Sequence, residues 1–364
     1  MSILHTMKAI FNLLIALSAT FMTVDAADTK KQFATGPIRD LALIYQGGAH
    51  RPDWAQRQFE PYVAHTFADG STDWLFDGFL FLEFKDGEGR QFSPGYDNQN
   101  ARRSEWERYL DRLFERGKSL DALDRCIDTT RQRIGDPGFR HKIILTVMVP
   151  IIAQTDWGEI NSQKLDFNNL DDRKAACRWF IDQLVSRFAA QKYKNIDLSG
   201  LYWIDEDMVH TQDFPKDISS YIHSKGLQFV WIPYFKAPGH DRWRELGFDI
   251  AYHQPNHFFD KKIPDARLDR ACDIALDNGM AMEFECDERA NFNEQDSYIS
   301  RMESYIEAFQ RRGVFDNSAI AYYTGGTGLN VMADNPCPEN HAVMDRLARL
   351  IVNRRANHNL INSR

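Results

Sequence analysis

Cysteine is scarce in this chain and never paired. Five are spread over 364 residues, at Cys126, Cys177, Cys272, Cys286 and Cys337, with no C-x-x-C among them. That spacing indicates neither a zinc site nor a disulfide framework, and an odd count leaves at least one thiol free. Cys177 and Cys272 fall in helical patterns as small buried hydrophobes. Cys286 lies beside carboxylates, but no His stands near it in sequence to make it a nucleophile. Cations are outnumbered, 44 Lys and Arg against 52 Asp and Glu, for a net charge of -8. This balance argues against a nucleic-acid or anionic-membrane partner and suits a neutral or basic ligand. No low-complexity linker follows residue 39 and no repeat is visible, so one domain is the simplest account.

The N-terminus runs from Lys8 through the apolar stretch Ala9 to Met22 to Val24-Asp-Ala26. This is the charged, apolar, small-residue order of a secretory signal peptide, with cleavage expected after Ala26. The stretch falls short of the roughly 20 residues of a spanning helix. The expected layout is therefore a signal peptide over 1–26, a linker over 27–39, a domain over 40–356 and a tail over 357–364. A periplasmic or extracellular location follows, with no membrane association after cleavage and no obligate protein partner indicated.

Eight strand-like runs recur, at 40–45, 78–84, 142–149, 200–204, 227–232, 248–252, 279–284 and 318–323. Amphipathic patterns lie between them, at 104–114, 171–191, 217–223, 266–276 and 297–309, with apolar residues at i, i+3 and i+4. Gly226, Gly247 and Gly279 stand where a helix closes and a strand begins. Strand alternating with helix, without hairpin turns, predicts an α/β fold, a single (β/α)8 barrel. A doubly wound open sheet would usually follow its first strand with Gly-x-Gly-x-x-Gly; here Gln46-Gly-Gly-Ala-His-Arg-Pro-Asp-Trp54 follows instead.

In such a barrel the site sits at the C-terminal strand ends. Two runs there end abruptly in acids, Leu201-Tyr-Trp-Ile-Asp-Glu-Asp207 and Met280-Ala-Met-Glu-Phe-Glu-Cys-Asp287. A buried parallel strand should be continuously apolar, and an ionised carboxylate on it is costly unless it is paired or functional. Glycosidic cleavage needs two carboxyl groups, one protonated to assist the leaving oxygen and one ionised to attack or to activate water. Glu206 is the candidate acid/base. Glu285, nearer the strand end, is preferred over Glu283 as nucleophile; both share one strand face by the two-residue period. Aromatic rings with amides and carboxylates form the inventory of a sugar site, and candidate substrate contacts are Tyr45, Arg51, Trp54, Glu83, Asp205, Trp231, Tyr234, Tyr252, His253, Gln254, Asn256 and Tyr323. Trp203 and Trp231 also suit plain core filling. His253 and His257 are four apart, but Pro255 between them forbids the regular helix that a metal pair would need. No cofactor or metal is expected, although Asp205, Asp207 and His253 leave a metal-dependent hydrolase as a lesser alternative. The opposite strand ends show nothing comparable.

The placement of acid/base after strand four and nucleophile after strand seven is similar to the large clan of retaining glycosidases, in which an Asn precedes the strand-four acid where Asp205 stands here. More closely, Leu43-Ile-Tyr-Gln-Gly-Gly48 with Arg51 and Trp54, Leu201-Tyr-Trp-Ile-Asp-Glu206, Gln254-Pro-Asn256 and Met282-Glu-Phe-Glu285 resemble a family of exported bacterial proteins known as domain of unknown function 4855. The resemblance covers nearly the whole mature chain and implies a glycosidase-like barrel acting on complex glycans. The expected function is thus a secreted glycoside hydrolase on an oligo- or polysaccharide, with a non-catalytic glycan-binding barrel as the alternative.

Overall fold

All eight expected strands form, and they close on one another. The computed structural model describes residues 31–292 and 295–362; the expected signal segment lies outside them. The strands are β1 (Asp40–Tyr45), β2 (Gly78–Leu82), β3 (His141–Val147), β4 (Ile196–Trp203), β5 (Gln228–Trp231), β6 (Ile250–His253), β7 (Ala281–Glu285) and β8 (Ile320–Tyr323). Each pairs in parallel with its sequence neighbours, and β8 returns to β1 with Asp40 opposite Ile320. β1, β2 and β7 are buried at every position, as strands covered by helices on one side and packed lumen on the other must be. The fold is a TIM barrel.

The helices that cover it are α1 (Gln56–Val63), α2 (Arg103–Leu113), α3 (Ser119–Ile134), α4 (Leu170–Gln191), α5 (Phe214–Ser224), α6 (Ala266–Asn278), α7 (Ile299–Arg311), α8 (Val314–Asn317), α9 (Gly328–Asp334) and α10 (Pro338–Asn362). Local chemistry sets their ends. Asn169 caps α4 by accepting from the Asp171 N–H at 2.9 Å, and Glu105 reaches back to the Arg102 N–H at 2.8 Å to start α2; both satisfy amides that a first helical turn leaves unpaired. The connection from β5 to β6 has only a three-residue 3-10 turn, His240–Arg242, because Pro233, Pro238 and two glycines interrupt it.

Three features depart from the sequence expectation. Residues 33–38, expected as linker, fold onto the barrel: Phe33 and Ile38 are buried, the Ala34 N–H donates to the Met280 carbonyl, and the Ala34 carbonyl accepts from Ala319. Strand four begins at Ile196, four residues earlier than its apolar run, with a register shift between Leu198 and Gly200. Its polar start is tolerated because Asp197 pairs with Arg140 and Lys142. The opposite strand ends, where nothing notable was expected, hold a buried ionic cluster. Arg354 of α10 pairs with Asp40 at 3.2 Å and donates to the carbonyls of Phe315 and Ser318 at 2.7 Å each. The Tyr322 hydroxyl donates to Asp40 at 2.7 Å, while Asp77 accepts from the backbone N–H groups of Arg39 and Asp40. Burial, then the nearby Asp40, pushes Asp77 up to about 6.

Candidate active site

At the C-terminal ends of the strands lies a cleft of about 320 Å³ whose lining includes carboxylates from opposite sides of the barrel. A larger groove of about 610 Å³ runs outside the barrel along α1 and α9, where it meets none of those acids. The strand-end cleft is the candidate site.

Its walls are built by strand alternation. Glu283 and Glu285 both line it, two residues apart on β7, as their shared face requires. Glu206 enters from just beyond β4. Leu82, Glu83 and Phe84 come from the end of β2, Tyr45 from β1 and Tyr323 from β8. Aromatic rings pack in an arc around the acids: Phe84 stacks on Tyr96 at 4.1 Å between centroids, Tyr45 meets Tyr323 edge-on at 5.5 Å, and Tyr323 meets Phe259 at 5.5 Å.

The three central glutamates are held differently. Glu206 is half-buried; its Oε1 accepts from the Gln254 amide at 2.6 Å and its Oε2 from the Tyr96 hydroxyl. Glu285 is 1% exposed and, among the described residues, accepts from several donors. They are the Asn256 N–H at 3.1 Å, the Asn256 side-chain amide at 3.4 Å, the His257 N–H at 3.2 Å and the Tyr305 hydroxyl. Glu283, 3% exposed, takes no hydrogen bond from any described residue. The amides of Gln254 and Asn256, joined at 3.0 Å, link the Glu206 and Glu285 carboxyls in one chain.

These surroundings set the proton affinities. Burial raises Glu206, opposed by the Tyr96 and Gln254 hydrogen bonds that favour its anion. Burial also pushes Glu285 up to about 7, with Tyr305 and the backbone donors pulling it back. Glu283 goes well above the usual carboxylate range, from burial first and then from the charges of Glu285 and Glu206. Both carboxyls are raised, and the donors around Glu285 favour its anion where Glu283 has none, so a charge on the pair rests preferentially on Glu285. Neighbouring acids with separated proton affinities are what acid-base chemistry uses.

Several expected contacts do not reach the cleft. Trp54 is buried and donates to the Tyr45 carbonyl at 2.9 Å. Trp231 is core, stacked on Phe248 and bonded to the Asp205 carbonyl at 2.7 Å. Asp205 is buried, with Ser93 at 3.5 Å from its Oδ1, and burial followed by Asp207 pushes it up to about 7. Tyr252 is buried, and Tyr234 donates to Asp207 at 3.0 Å outside the lining. His253 is fully buried between Phe235 and His240. Volume and strand-face alternation explain these misses: a large ring at a strand end fills core when its face is the wrong one. Tyr45, Arg51, Glu83, Gln254, Asn256 and Tyr323 do line the cleft, with the three glutamates.

Sequence reasoning passed over Phe84, Lys85, Tyr96, Tyr202 and Phe259, which also line it. Tyr202 and Phe84 stand beside acids already singled out, so proximity was the available signal. Tyr96 arrives on the excursion between β2 and α2, which carries no strand pattern. The Thr324–Gly328 loop binds the chain's own acid: Thr327 N–H donates to Glu288 Oε1 at 2.5 Å. Among the described residues no three His, Cys, Asp or Glu side chains gather as metal ligands, and all five cysteines are free and buried.

Fold and site together define a TIM barrel with a carboxylate-bearing, aromatic-walled cleft at its C-terminal face. The chain belongs to the family called Domain of unknown function (DUF4855), whose model matches residues 40–349. No curated protein matches it. Among solved structures it is similar to mutant forms of the tryptophan synthase alpha-subunit from the hyperthermophile Pyrococcus furiosus. Three of these have TM-scores of 0.38, 0.37 and 0.38 and identities of 8%, 8% and 9%, each covering 86% of this chain and 98% of its own.

Proposed function

We propose that the protein is an exported glycoside hydrolase that uses Glu206 as acid/base and Glu285 as nucleophile. The observation that carries this reading is the unequal treatment of Glu283 and Glu285. One buried carboxyl is surrounded by donors that stabilise its anion, and its neighbour is left without any. In the first step protonated Glu206 gives its proton to the glycosidic oxygen as the Glu285 carboxylate forms a bond to the anomeric carbon. The bond to the leaving group breaks. In the second step Glu206, now ionised, takes a proton from water, whose oxygen displaces Glu285. Neutral Glu283, without a partner of its own among the described residues, is available to donate to a sugar hydroxyl, and the rings of Tyr45, Tyr96, Phe259 and Tyr323 supply apolar surface for a pyranose face. Export rests on the order of residues at the N-terminus.

The test is release of reducing ends from a panel of oligosaccharides and 4-nitrophenyl glycosides. Glu206→Gln and Glu285→Gln are each expected to lower the rate about 100- to 10,000-fold, while sugar binding persists. A second reading, a glycan-binding cleft without turnover, is favoured by the donors crowded on Glu285, which leave few lone pairs for attack. Binding by the wild-type chain with no cleavage of any panel member selects that reading.

A further inference from the structure

The charge of the whole chain suits a neutral or basic ligand, and four glutamates line the cleft, but its cations are gathered on one wall. The wall at the ends of β1 and β2 carries Arg51, Glu83 and Lys85. Glu83 is already engaged: Arg51 Nε donates to its Oε2 at 2.6 Å and Arg51 Nη2 to its Oε1 at 3.4 Å. Asp86, next to Lys85 in sequence, is engaged as well. Its Oδ1 accepts from the N–H groups of Glu88 and Arg90 at 2.8 and 2.9 Å, and its Oδ2 faces Arg108 at 3.5 Å. Glu88 also pairs with Arg108. Lys85 therefore lines the cleft with no ion pair or hydrogen bond to its ammonium among the described residues. An uncompensated cation in a cleft, in a chain with an excess of acids, needs a reason. Arg51, its charge met by Glu83, adds a donor: Glu83 takes Nε and Nη2 and leaves Nη1.

We infer that the sugar bound in this cleft carries an anionic substituent, a carboxylate or a sulfate ester, and that Lys85 with Arg51 recognises it. The inference rests on the sugar-site reading above, and it names the substrate class of that site. The anion would meet the cationic β1–β2 wall, while the glycosidic bond lies toward Glu206 and Glu285 on the other side. Charge-assisted hydrogen bonds in a partly desolvated cleft are strong enough to dominate the choice between otherwise identical sugars.

The full chain is titrated by ligand-observed NMR with D-glucose, D-glucuronate, D-glucose 6-sulfate, D-galactose and D-galacturonate. An anionic sugar is expected to bind about tenfold or more tightly than its neutral counterpart, with the advantage shrinking at high salt. The glucuronate and 6-sulfate arms tell carboxylate from sulfate. Lys85→Met is expected to abolish the anionic-to-neutral ratio, and Lys85→Glu to shift preference toward D-glucosamine. Equal or tighter binding of the neutral sugars, a ratio that survives Lys85→Met, or no binding of any anionic sugar overturns the inference. If the variants fail to fold, the wild-type ratio and its salt dependence still decide. Anionic preference without cleavage of the matching 4-nitrophenyl glycosides would sink the hydrolase reading alone. Cleavage of neutral glycosides with no preference for charge would sink only this inference.

Discussion

Asn256 holds the Glu285 carboxylate twice, through its backbone N–H at 3.1 Å and its side-chain amide at 3.4 Å. It does so from a left-handed backbone, φ 46°, a conformation that Asn tolerates better than most residues. Strain of that kind persists where surrounding structure enforces it, commonly at functional sites.

Asn256→Asp puts a like charge beside Glu285 and removes one donor, and both changes favour protonated Glu285. The acid limb of the rate profile, expected near pH 7 for the wild type because Glu285 lies at about 7, should move to higher pH. A pH–rate profile of the variant checks this; an unmoved limb would mean that Glu285 is not the group titrating.

Tyr96→Phe removes a donor that favours the Glu206 anion. Proton affinity at Glu206 rises, so the alkaline limb of the same profile is expected at higher pH. Loss of activity at every pH, with no movement of the limb, would assign Tyr96 a purely spatial role.

Glu283→Gln is expected to stabilise the fold at pH 8 and to leave stability unchanged near pH 4. In the folded state Glu283 is raised and keeps its proton, whereas in the unfolded chain it ionises near the ordinary glutamate value. The folded state therefore binds more protons, and stability falls as pH rises above that value by about 1.4 kcal/mol per unit for each retained proton. Urea unfolding of both proteins across pH 4 to 8 measures the difference, and parallel curves would refute the assignment.

Gly200→Ala tests the bulge of β4. A Cβ there would lie 2.8 Å from the Gln228 carbonyl oxygen and 2.9 Å from the Ile144 Cδ1, so the β5 backbone must shift and the Ile144 side chain must turn. A cost of about 1–3 kcal/mol is expected, read as a lower urea midpoint with an unchanged slope.

Arg354→Met should cost about 3–5 kcal/mol, because Asp40 would remain buried without its cation. The effect is expected on thermal unfolding. Unchanged melting would show that the Tyr322 hydrogen bond alone suffices for Asp40.

What was legible in the sequence was whatever burial forces into pattern. β1, β2 and β7 are buried at every position because both faces are covered, so acids on or just beyond a strand stood out: Glu83 after β2, Glu206 after β4, and Glu283 and Glu285 on β7. Face was legible on β7, where two acids two residues apart had to point the same way. It was not legible for Trp231 or Tyr252, since a ring is as suitable for core as for ligand. Tyr96 and Lys85 come from an excursion whose conformation depends on Asp86 and Gln91 gathering backbone amides, a pattern without periodicity. The Asp40–Arg354 pair joins positions 314 apart in sequence, and no local signal announces it.

The five buried thiols make the chain report on its own opening. With none tied in a disulfide and each shielded by packing, a thiol reagent can reach them only as the structure around each one opens. Cys126 on α3, Cys177 on α4 and Cys272 on α6 time the loosening of three separate helices, and Cys286 times the end of β7 beside Glu283 and Glu285. Labelling rates at individual positions would give a map of which side of the barrel breathes first, with no residue replaced.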